Sequence, residues 1–597
     1  MRHEPLLLAV VLLLAAGLRF TGISHHVVRG AASFDEQNNF LRPIERMARE
    51  GSLDPTVYQG YPGFFNWLAA GPVLLGRALG GYAGAAIGGR ALVAGFGLLS
   101  VLLAWLLARR LAGPWAGLFA ATLLAVSRLE VRAAHNITPD VLAGTACLGT
   151  LLLVVREAKG EAPSARRDLA VGALAGLAAA VKFSGLLAGV PGAAAAALSG
   201  GFAKRGLRMG LAAVTAFGLA APYAVSELIE RGGTLTGLTH YYGERAERNQ
   251  EARGGAGGLA AAVPGLAAAV GPVGCLLAAG GLWLVRPRRA TLPAVVTLAT
   301  SLVILAPAAF VYPRHLVPSG AVLAVLVGAG FGALVSRPGR LAALLGLSLA
   351  ALGLPFQARD SFALVARYAR PTAIDRAAAW IEGNVSGPSL VLAALPRLAI
   401  DPARFEVRRA QRLEDVPAAV AAQYDLLVTD ITRDAAALVG FRTLARFDSE
   451  EGLAERTLSV LAPRRRPKLT LVEPSSVTRE DGIQITLAAP SRAFRVEAEA
   501  EDWPRDVVLE AQGPQHAWGR LAAESLRPSE RDRRRSESGG GQIYILRGHP
   551  ITALRFAAQR PGPWTNATLR VFALEPDETL PEFEPGERRN RRRQRRR

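Results

Sequence analysis

The chain has 597 residues, of which 50% are hydrophobic and 20% are charged, and its formal net charge at pH 7 is +20. A mean hydropathy of +0.23 excludes an ordinary soluble enzyme and indicates a membrane protein. The long apolar runs lie between residue 1 and about residue 356, so the remainder is predicted to be water-soluble.

About eleven apolar segments are predicted to cross a bilayer, because runs of roughly 18 apolar residues span its hydrocarbon core and shorter runs can do so with interfacial flanks. The first is interpreted as a retained anchor and not as a cleaved secretory signal, since no clear small-x-small cleavage site accompanies it. The predicted segments are 5–22, 88–108, 115–128, 140–156, 168–181, 183–199, 207–225, 259–284, 291–310, 316–336 and 341–356.

Basic residues in alternate loops predict the orientation, because such loops stay in the cytoplasm. These loops are 109–110, 156–167, 204–208, 286–289 and 337–340. A cytoplasmic amino terminus then leaves the opposite face for the first acidic loop, segment 127–139, the charged loop 226–258, turn 312–315 and all residues after about 357. Only four of the 69 basic residues are lysines, which is typical of a high-GC bacterium, so the bacterial inner (plasma) membrane is the predicted location.

Four domains are predicted, and two of them are soluble and folded. A membrane core over 1–360 precedes a small α/β module over 361–465, in which helical and strand patterns alternate. Period-two segments over 466–577 predict a β-sandwich-like domain. The Arg-rich tail, 578–597, is predicted to be disordered or to touch lipid headgroups, and no nucleic-acid partner is expected because no aromatic residues are interleaved with it.

Adjacent carboxylates at Asp35 and Glu36 follow the first apolar span. Partial desolvation at a membrane surface raises the basicity of a carboxylate, so such a group can take a proton from a hydroxyl. A solvated acidic loop is an equally open alternative. The next carboxylate on that face is Asp140, for which capping a helix start is the alternative to a chemical role.

Four further residues are candidate binding residues. Lys182 interrupts an apolar stretch, where a charge costs about 2.5 to 3.5 kcal/mol, so an anionic ligand or a carboxylate partner is expected ahead of snorkelling. Arg314 and His315 lie in an outer-face turn that suits a phosphate, or else a headgroup anchor. Tyr61 opens the aromatic segment 61–68, predicted to be a short interfacial helix that either anchors the protein or contacts substrate.

No metal site is predicted, although a divalent cation remains open. His135 and the pair His25-His26 have no further ligand at suitable spacing, and His135 is expected to be a polar interface residue. Cys147 and Cys275 fall inside predicted spans, so they are expected to be packing residues and not a disulfide.

Six motifs in this order resemble the GT-C glycosyltransferases of the protein O-mannosyltransferase and lipid A aminoarabinose transferase type. They are Asp35-Glu36, segment 61–68, Ser127-Arg128, Pro139-Asp140, Lys182-Phe183-Ser184-Gly185 and Arg314-His315. The resemblance covers roughly residues 1–360 and rests on the order of the motifs and on their common side of the membrane. It implies a polytopic helical core and an inverting transfer of a sugar from a polyprenyl-phosphate carrier to an acceptor outside the cytoplasm.

The resemblance also implies roles for individual residues. Asp35 would be the general base on the acceptor hydroxyl, and Glu36 would orient donor or acceptor. Asp140 would be a second acidic residue of the pocket, while Arg314 and possibly Lys182 would hold the lipid phosphate.

Two departures from the family pattern affect the details of phosphate binding. Gln59-Gly60 and Gly63 stand where a further Pro or a basic residue is usual, and His315 stands where a tyrosine often follows the arginine.

Two other functions remain open from the sequence. A transporter or flippase would have charges near the membrane midplane and repeated halves, and no repeat is found. A non-catalytic envelope assembly protein would tolerate the combined loss of Asp35, Asp140 and Arg314. The sequence identifies neither the sugar nor the acceptor, which would be a lipid, glycan or protein hydroxyl.

Overall fold

A computed structural model describes most of the first 386 residues and, beyond them, mainly the strands. The described residues are 3–55, 61–230, 258–285, 287–306, 311–338, 340–386, 389–395, 397–409, 424–430, 441–447, 458–463, 469–472, 474–478, 482–499, 507–512, 518–520, 542–545, 550–558 and 568–574. Four features lie wholly or largely outside them: Gln59-Gly60, the charged loop 226–258, the Arg-rich tail, and segment 531–541, whose charged, Ser- and Gly-containing sequence predicts a surface loop.

Contacts divide the chain into two compact units, Met1–Val27 with Ala32–Arg370 and Val28–Ala31 with Pro371–Arg597. The first is helical. Its helices are α1 (Glu4–Phe20), α2 (Phe34–Glu36), α3 (Arg42–Glu50), α4 (Phe64–Ala112), α5 (Pro114–Ala125), α6 (Arg128–Ala134), α7 (Asp140–Ala158), α8 (Ala165–Val181), α9 (Val190–Ser199), α10 (Phe202–Ala220), α11 (Pro222–Glu230), α12 (Leu259–Leu284), α13 (Leu292–Leu305), α14 (Val317–Val335) and α15 (Arg340–Tyr368). A π-helical turn covers Gln37–Leu41, and 3₁₀ turns cover Phe183–Gly189, Arg288–Ala290 and Pro313–Leu316.

Every apolar segment predicted from the sequence falls on one or two of these helices. Within the described residues, four helical stretches are long and apolar enough to cross a membrane: Phe64–Ala112, Leu259–Leu284, Pro313–Val335 and Arg340–Asn384. Three shorter apolar helices accompany them. The chain is therefore a helical membrane protein, whereas the number of spans, about eleven, and their orientation stay predictions.

The prediction of a separate short helix over 61–68 is wrong. That segment leads into α4, which begins at Phe64 and bends at Gly80 and Gly81 into two arms, 64–79 and 82–112. Gly81 has a φ of +59°, which side-chain-bearing residues rarely adopt. The arms pack with almost no space between them, because a Cβ on Gly84 would lie 2.0 Å from the carbonyl oxygen of Gly76. Glycine at this crossing permits a tight helical hairpin, which no local apolar pattern encodes.

Helix α14 lies at the centre of the unit and is buried along most of its length. A helix that is apolar on every side needs neighbours on every side, which explains its lack of polar periodicity. Small residues set its contacts: Gly328 and Gly332 face Ala116 of α5, and Gly330 faces the backbone of Leu277 in α12. Because α14 follows directly from the Pro313–Leu316 turn, that turn is held on a rigid element.

The second unit contains the predicted α/β module. Helix α16 (Ala373–Asn384) begins with a capping box formed by Thr372 and Asp375. Its buried residues Ala377, Ala378 and Ile381 pack with the core of a five-stranded sheet. The strands are β1 (Ser389–Ala393), β2 (Phe405–Arg409), β3 (Leu426–Asp430), β4 (Phe441–Phe447) and β5 (Leu458–Pro463), in the order β2-β1-β3-β5-β4. Strand β1 is parallel to β2 and β3, and β5 is antiparallel to β3 and β4.

The remaining strands pair antiparallel around one long strand. They are β6 (Leu469–Val472), β7 (Pro474–Thr478), β8 (Gly482–Glu499), β9 (Val507–Gln512), β10 (Trp518–Arg520), β11 (Gln542–Ile545), β12 (Pro550–Ala558) and β13 (Thr568–Leu574). The order is β10-β9-β12-β8-β13-β6, with β7 and β11 also on β8. Strand β8 pairs with β12 and β7 mainly along its first half and with β13 and β11 along its second half. The β-sandwich and the predicted domain boundaries remain predictions.

Candidate functional site

Asp35 is held by a short helix whose start is fixed by its neighbours. The Ser33 side chain accepts a hydrogen bond from the Glu36 backbone N–H at 3.3 Å, and the Glu36 carboxylate accepts one from the Ser33 N–H at 2.8 Å. This reciprocal capping box places Asp35 in the first turn of α2. Glu36 is thereby directed inwards, whereas the Asp35 side chain is 26% exposed. Two adjacent carboxylates therefore face different environments.

Arg314 forms an ion pair with Asp35, its Nη1 donating to Oδ2. The arginine lies on the Pro313–Leu316 turn, and its guanidinium carbon is 4.8 Å from the ring centre of Tyr312. Its side chain is 27% exposed, so solvent and solutes reach the pair. The Nε of Arg314 is buried and has no hydrogen-bond partner among the described residues. The guanidinium therefore keeps a donor that none of the described residues uses.

Asp140 and Lys182 form a second, more deeply buried ion pair, with Nζ 2.5 Å from Oδ1. Thr138 donates to the other carboxylate oxygen at 2.6 Å. Asp140 is the first residue of α7 and Lys182 follows the last residue of α8, so each charge lies at the helix end that favours its sign. For Lys182 the sequence predicted either an anionic ligand or a carboxylate partner, and in the structure it has the carboxylate partner Asp140.

His315 lies near both ion pairs. It lies within electrostatic range of Lys182, Asp140, Arg314 and Asp35. Tyr61 lies within electrostatic range of Arg314, and its ring packs against Phe40 with centroids 5.3 Å apart. The structure therefore brings six of the predicted site residues into one cluster: Asp35, Asp140, Lys182, Arg314, His315 and Tyr61.

Glu36, the seventh, has a different place. It is 1% exposed and pairs with Arg90, which is equally buried. Besides the Ser33 N–H, its carboxylate accepts two hydrogen bonds from Arg90, at 2.8 and 2.9 Å, and one from the Ile137 N–H at 2.9 Å. Burial by itself would raise the pKa of Glu36, but Arg90 and these hydrogen bonds outweigh it and lower the pKa below the ordinary value. This geometry gives Glu36 a structural role, and it offers no support for direct contact with donor or acceptor.

Sequence reasoning missed Arg90, Tyr82 and the two buried charges Arg19 and Glu130. Arg90 and Arg19 each stand in or at the edge of an apolar segment, and an isolated charge there is as unusual as Lys182, so this signal was present. Glu130 is buried in α6, within electrostatic range of Arg19. Tyr82 gave no sequence signal, because its importance comes from two hydrogen bonds to a distant loop.

The described residues hold no group of three or more His, Cys, Asp or Glu side chains that could bind a metal ion. His135 is buried, and its ring nitrogens lie 2.8 Å from the carbonyl oxygen of Val131 and 2.9 Å from that of Thr21. Its ring also contacts Tyr368, which stacks on His25 with centroids 4.1 Å apart. Both free cysteines lie within helices, Cys147 buried and Cys275 partly buried.

Comparison with known protein families identifies a relationship for part of the chain. Residues 65–225 match the family model described as dolichyl-phosphate-mannose-protein mannosyltransferase. This stretch is related to those glycosyltransferases. The resemblance drawn from the motifs is thereby confirmed for the segment that contains Asp140 and Lys182, while Asp35 and Arg314 lie outside the match. No curated protein sequence matches the chain.

Three solved structures are similar to the chain at low sequence identity. ArnT from Cupriavidus metallidurans is 16% identical, with 76% of this chain and 97% of that chain covered at a TM-score of 0.45. The oligosaccharyltransferase AglB from Archaeoglobus fulgidus is 11% identical, with 98% of both chains covered at a TM-score of 0.44. The arabinofuranosyltransferase AftD from Mycobacteria is 12% identical, with 96% of this chain and 58% of that chain covered at a TM-score of 0.39.

Proposed function

We propose that this protein is an integral-membrane inverting glycosyltransferase that moves a sugar from a polyprenyl-phosphate carrier to a hydroxyl outside the cytoplasm. The observation that carries the proposal is that the Asp35–Arg314 and Asp140–Lys182 ion pairs both lie within electrostatic range of His315. A carboxylate suited to proton removal then lies beside cations suited to a phosphate, as glycosyl transfer from a lipid phosphate requires. The family match over 65–225 supports the reaction class.

The Asp35–Arg314 pair sets the order of binding in this proposal. While Arg314 donates to Asp35, that carboxylate is occupied by the guanidinium and is less available to an acceptor hydroxyl. A donor phosphate offers Arg314 a second anion, and the unused Nε–H provides a further hydrogen bond to it. Donor binding therefore draws Arg314 towards the phosphate and releases Asp35 for the acceptor. The donor binds first, and the acceptor follows.

The chemical step then needs no covalent enzyme intermediate. The acceptor hydroxyl gives its proton to Asp35, and its oxygen forms a bond to the anomeric carbon of the sugar. The bond from that carbon to the phosphate oxygen breaks on the opposite side, which inverts the configuration. The carrier leaves as a polyprenyl phosphate anion, whose charge Arg314 and Lys182 stabilise. Asp140 holds Lys182 in place for this role.

We also propose a cellular location, a donor class and an acceptor class. The positive-inside pattern supports an amino terminus in the cytoplasm of a bacterial cell, with the site and the second unit on the opposite side of the inner membrane. The donor is a hexosyl or pentosyl polyprenyl phosphate, and the acceptor is a lipid, a glycan or a protein hydroxyl. Membrane lipids surround the helical unit.

The test is sugar transfer by the purified full-length chain in proteoliposomes, with a panel of synthetic polyprenyl-phosphate sugars as donors and extracts of the native envelope as acceptors. We expect Asp35→Asn to lower the transfer rate by about 10² to 10⁴-fold, the usual contribution of a general base. Glu50→Gln is the matched control, because Glu50 is an exposed carboxylate in the same region of the chain. Unchanged transfer by Asp35→Asn refutes the proposed base.

Two outcomes favour the other functions. Movement of intact lipid-linked sugar across the bilayer, without its consumption, identifies a transporter or flippase. Full envelope function in cells that carry Asp35→Asn, Asp140→Asn and Arg314→Gln together identifies an assembly protein. In a deletion strain, the proposal expects one polyprenyl-phosphate sugar to accumulate and one glycan to disappear, both detected by mass spectrometry of extracts.

A further inference from the structure

The phenolic oxygen of Tyr82 accepts hydrogen bonds from both sides of Asp35. The backbone N–H of Ala32, three residues before Asp35, donates to it at 2.8 Å. The side-chain Nε2 of Gln37, two residues after Asp35, donates to it at 2.7 Å. One oxygen on α4 therefore closes a loop of chain that has the proposed base near its middle.

The position of Tyr82 is set by the helical hairpin. It is the first residue after the bend at Gly80 and Gly81, at the start of the second arm of α4. Two residues later, Gly84 makes the closest contact with the backbone of Gly76 in the first arm. The Tyr82 ring is partly buried among the apolar residues that pack under α2 and the π-helical turn. Its oxygen thus has little freedom to move.

The second arm of α4 also binds Glu36, the neighbour of Asp35. Arg90, eight residues after Tyr82, binds the Glu36 carboxylate through two hydrogen bonds. The second arm of α4 therefore contacts the chain before, beside and after Asp35. Arg314 and Lys182, the proposed phosphate ligands, lie on other elements of the unit.

We infer that Tyr82 is a positioning residue, which holds the Asp35 carboxylate where it meets the acceptor hydroxyl once Arg314 has turned to the donor phosphate. This inference rests on the proposed function. Without the phenolic oxygen, the loop keeps its Glu36–Arg90 anchor but loses its closure at Ala32 and Gln37. Asp35 can then follow Arg314 and leave the acceptor, and a general base needs hydrogen-bond reach of its proton.

The expected kinetic signature separates positioning from a loss of structure. Tyr82→Phe removes one oxygen and keeps the ring, so we expect kcat to fall about tenfold to 100-fold, the scale of a small misplacement of a reacting group. The KM for the polyprenyl-phosphate sugar should stay within about twofold, because the phosphate ligands are untouched. Gln37→Leu removes one of the two donors and should lower kcat by a smaller factor, while the Ala32 bond persists.

The experiment measures initial rates in proteoliposomes for the wild-type chain, Tyr82→Phe, Gln37→Leu and Tyr223→Phe. Tyr223 is the matched control, since its ring packs near Trp67 in α4 and has no part in the site. Thermal unfolding in detergent shows whether each variant is folded. An unchanged kcat in folded Tyr82→Phe overturns the inference, and so does an equal change in kcat and donor KM.

The same measurements distinguish an error in the proposed function from an error in the role of Tyr82. If Asp35→Asn transfers sugar as fast as the wild type, the base itself is wrong, whatever Tyr82→Phe does. If Asp35→Asn is inactive and Tyr82→Phe has wild-type kcat, only the positioning role is lost.

Discussion

Arg90 donates through Nε to Oε1 of Glu36 at 2.8 Å and through Nη2 to Oε2 at 2.9 Å, and both side chains are 1% exposed. Nη1 of the same arginine donates to the carbonyl oxygens of Ile23 at 2.8 Å and His25 at 2.9 Å. Glu36 in turn accepts from the N–H of Ile137, three residues before Asp140. One buried ion pair therefore ties together the helical hairpin and the two loops that carry the acidic site residues.

Loss of Arg90 should destabilise the protein severely. Arg90→Met leaves the Glu36 carboxylate buried without its cation, which costs about 3 to 5 kcal/mol. Arg90→Lys should recover only part of this, because an ammonium cannot form the paired hydrogen bonds of a guanidinium. Thermal unfolding in detergent measures the effect. Arg42→Met is the control, since Arg42 is exposed, and a loss there as large as in Arg90→Met would contradict the explanation.

The Asp140–Lys182 pair should show strong coupling. Asp140→Asn or Lys182→Met alone leaves one buried charge unpaired, so each is expected to destabilise by about 3 to 5 kcal/mol. The double variant removes both charges and should be more stable than the sum of the single losses predicts, by about 0.5 to 3 kcal/mol. Lys204→Met is the control at an exposed lysine. Additive losses in the double-mutant cycle would show that the ion pair contributes no coupling.

Arg314 should act chiefly on the donor. Arg314→Gln removes charge-assisted hydrogen bonds worth about 1.5 to 3 kcal/mol, so the donor KM is expected to rise about tenfold to 100-fold. Arg314→Lys keeps the charge but loses the planar set of N–H donors. Its donor KM should lie between those of the wild type and Arg314→Gln. Rates at varied donor concentration measure this, with the exposed Arg359→Gln as control. A normal donor KM in Arg314→Gln would remove Arg314 from the phosphate site.

Replacement of the glycine at the contact between the two arms of α4 should lower the stability of the protein. Gly84→Ala places a methyl group 2.0 Å from the carbonyl oxygen of Gly76, so the two arms must separate and the melting temperature should fall by several degrees. Gly95→Ala in the same helix meets nothing within 4 Å and should be neutral or slightly stabilising. Equal melting temperatures for the two variants would mean that the arms are not in contact at this point.

Glu130 should make stability depend on pH. Burial raises the pKa of Glu130 from an ordinary 4.5 to about 8, and the nearby Arg19 only partly offsets this. Between these values the folded chain holds a proton that the unfolded chain has lost. Stability therefore falls as the pH rises from about 4.5 through 8, by at most about 1.4 kcal/mol per pH unit.

Glu130→Gln removes this titration. Relative to the wild type, the variant should gain stability steadily between pH 5 and pH 8, measured as the difference in melting temperature at each pH. Glu50→Gln, at an exposed carboxylate, should show no such trend. A difference between Glu130→Gln and the wild type that is constant across this range contradicts the raised pKa.

Local patterns located most helices of the first unit but not the first arm of α4, and the roles of the candidate site residues stay predictions. Each predicted apolar segment lies on a helix, because a long apolar run satisfies its backbone only by helical hydrogen bonding in a bilayer. The isolated charge at Lys182 indicated a carboxylate partner, and Asp140 is that partner. The sequence Ser33-Phe34-Asp35-Glu36 is also a capping-box pattern, and such a pattern predicts that the Glu36 side chain turns back towards the Ser33 N–H.

The sequence by itself indicated a membrane protein whose long apolar segments lie in its first part, since apolar content and its distribution are properties of composition and order. It also supplied the acidic and basic residues of the site. Only the tertiary structure decided that Asp35 pairs with Arg314, 279 residues away, and that Glu36 is buried against Arg90. Such pairings depend on which helices lie side by side, and glycine contacts such as those of Gly84 and Gly332 set that arrangement through backbone distances that no single segment encodes.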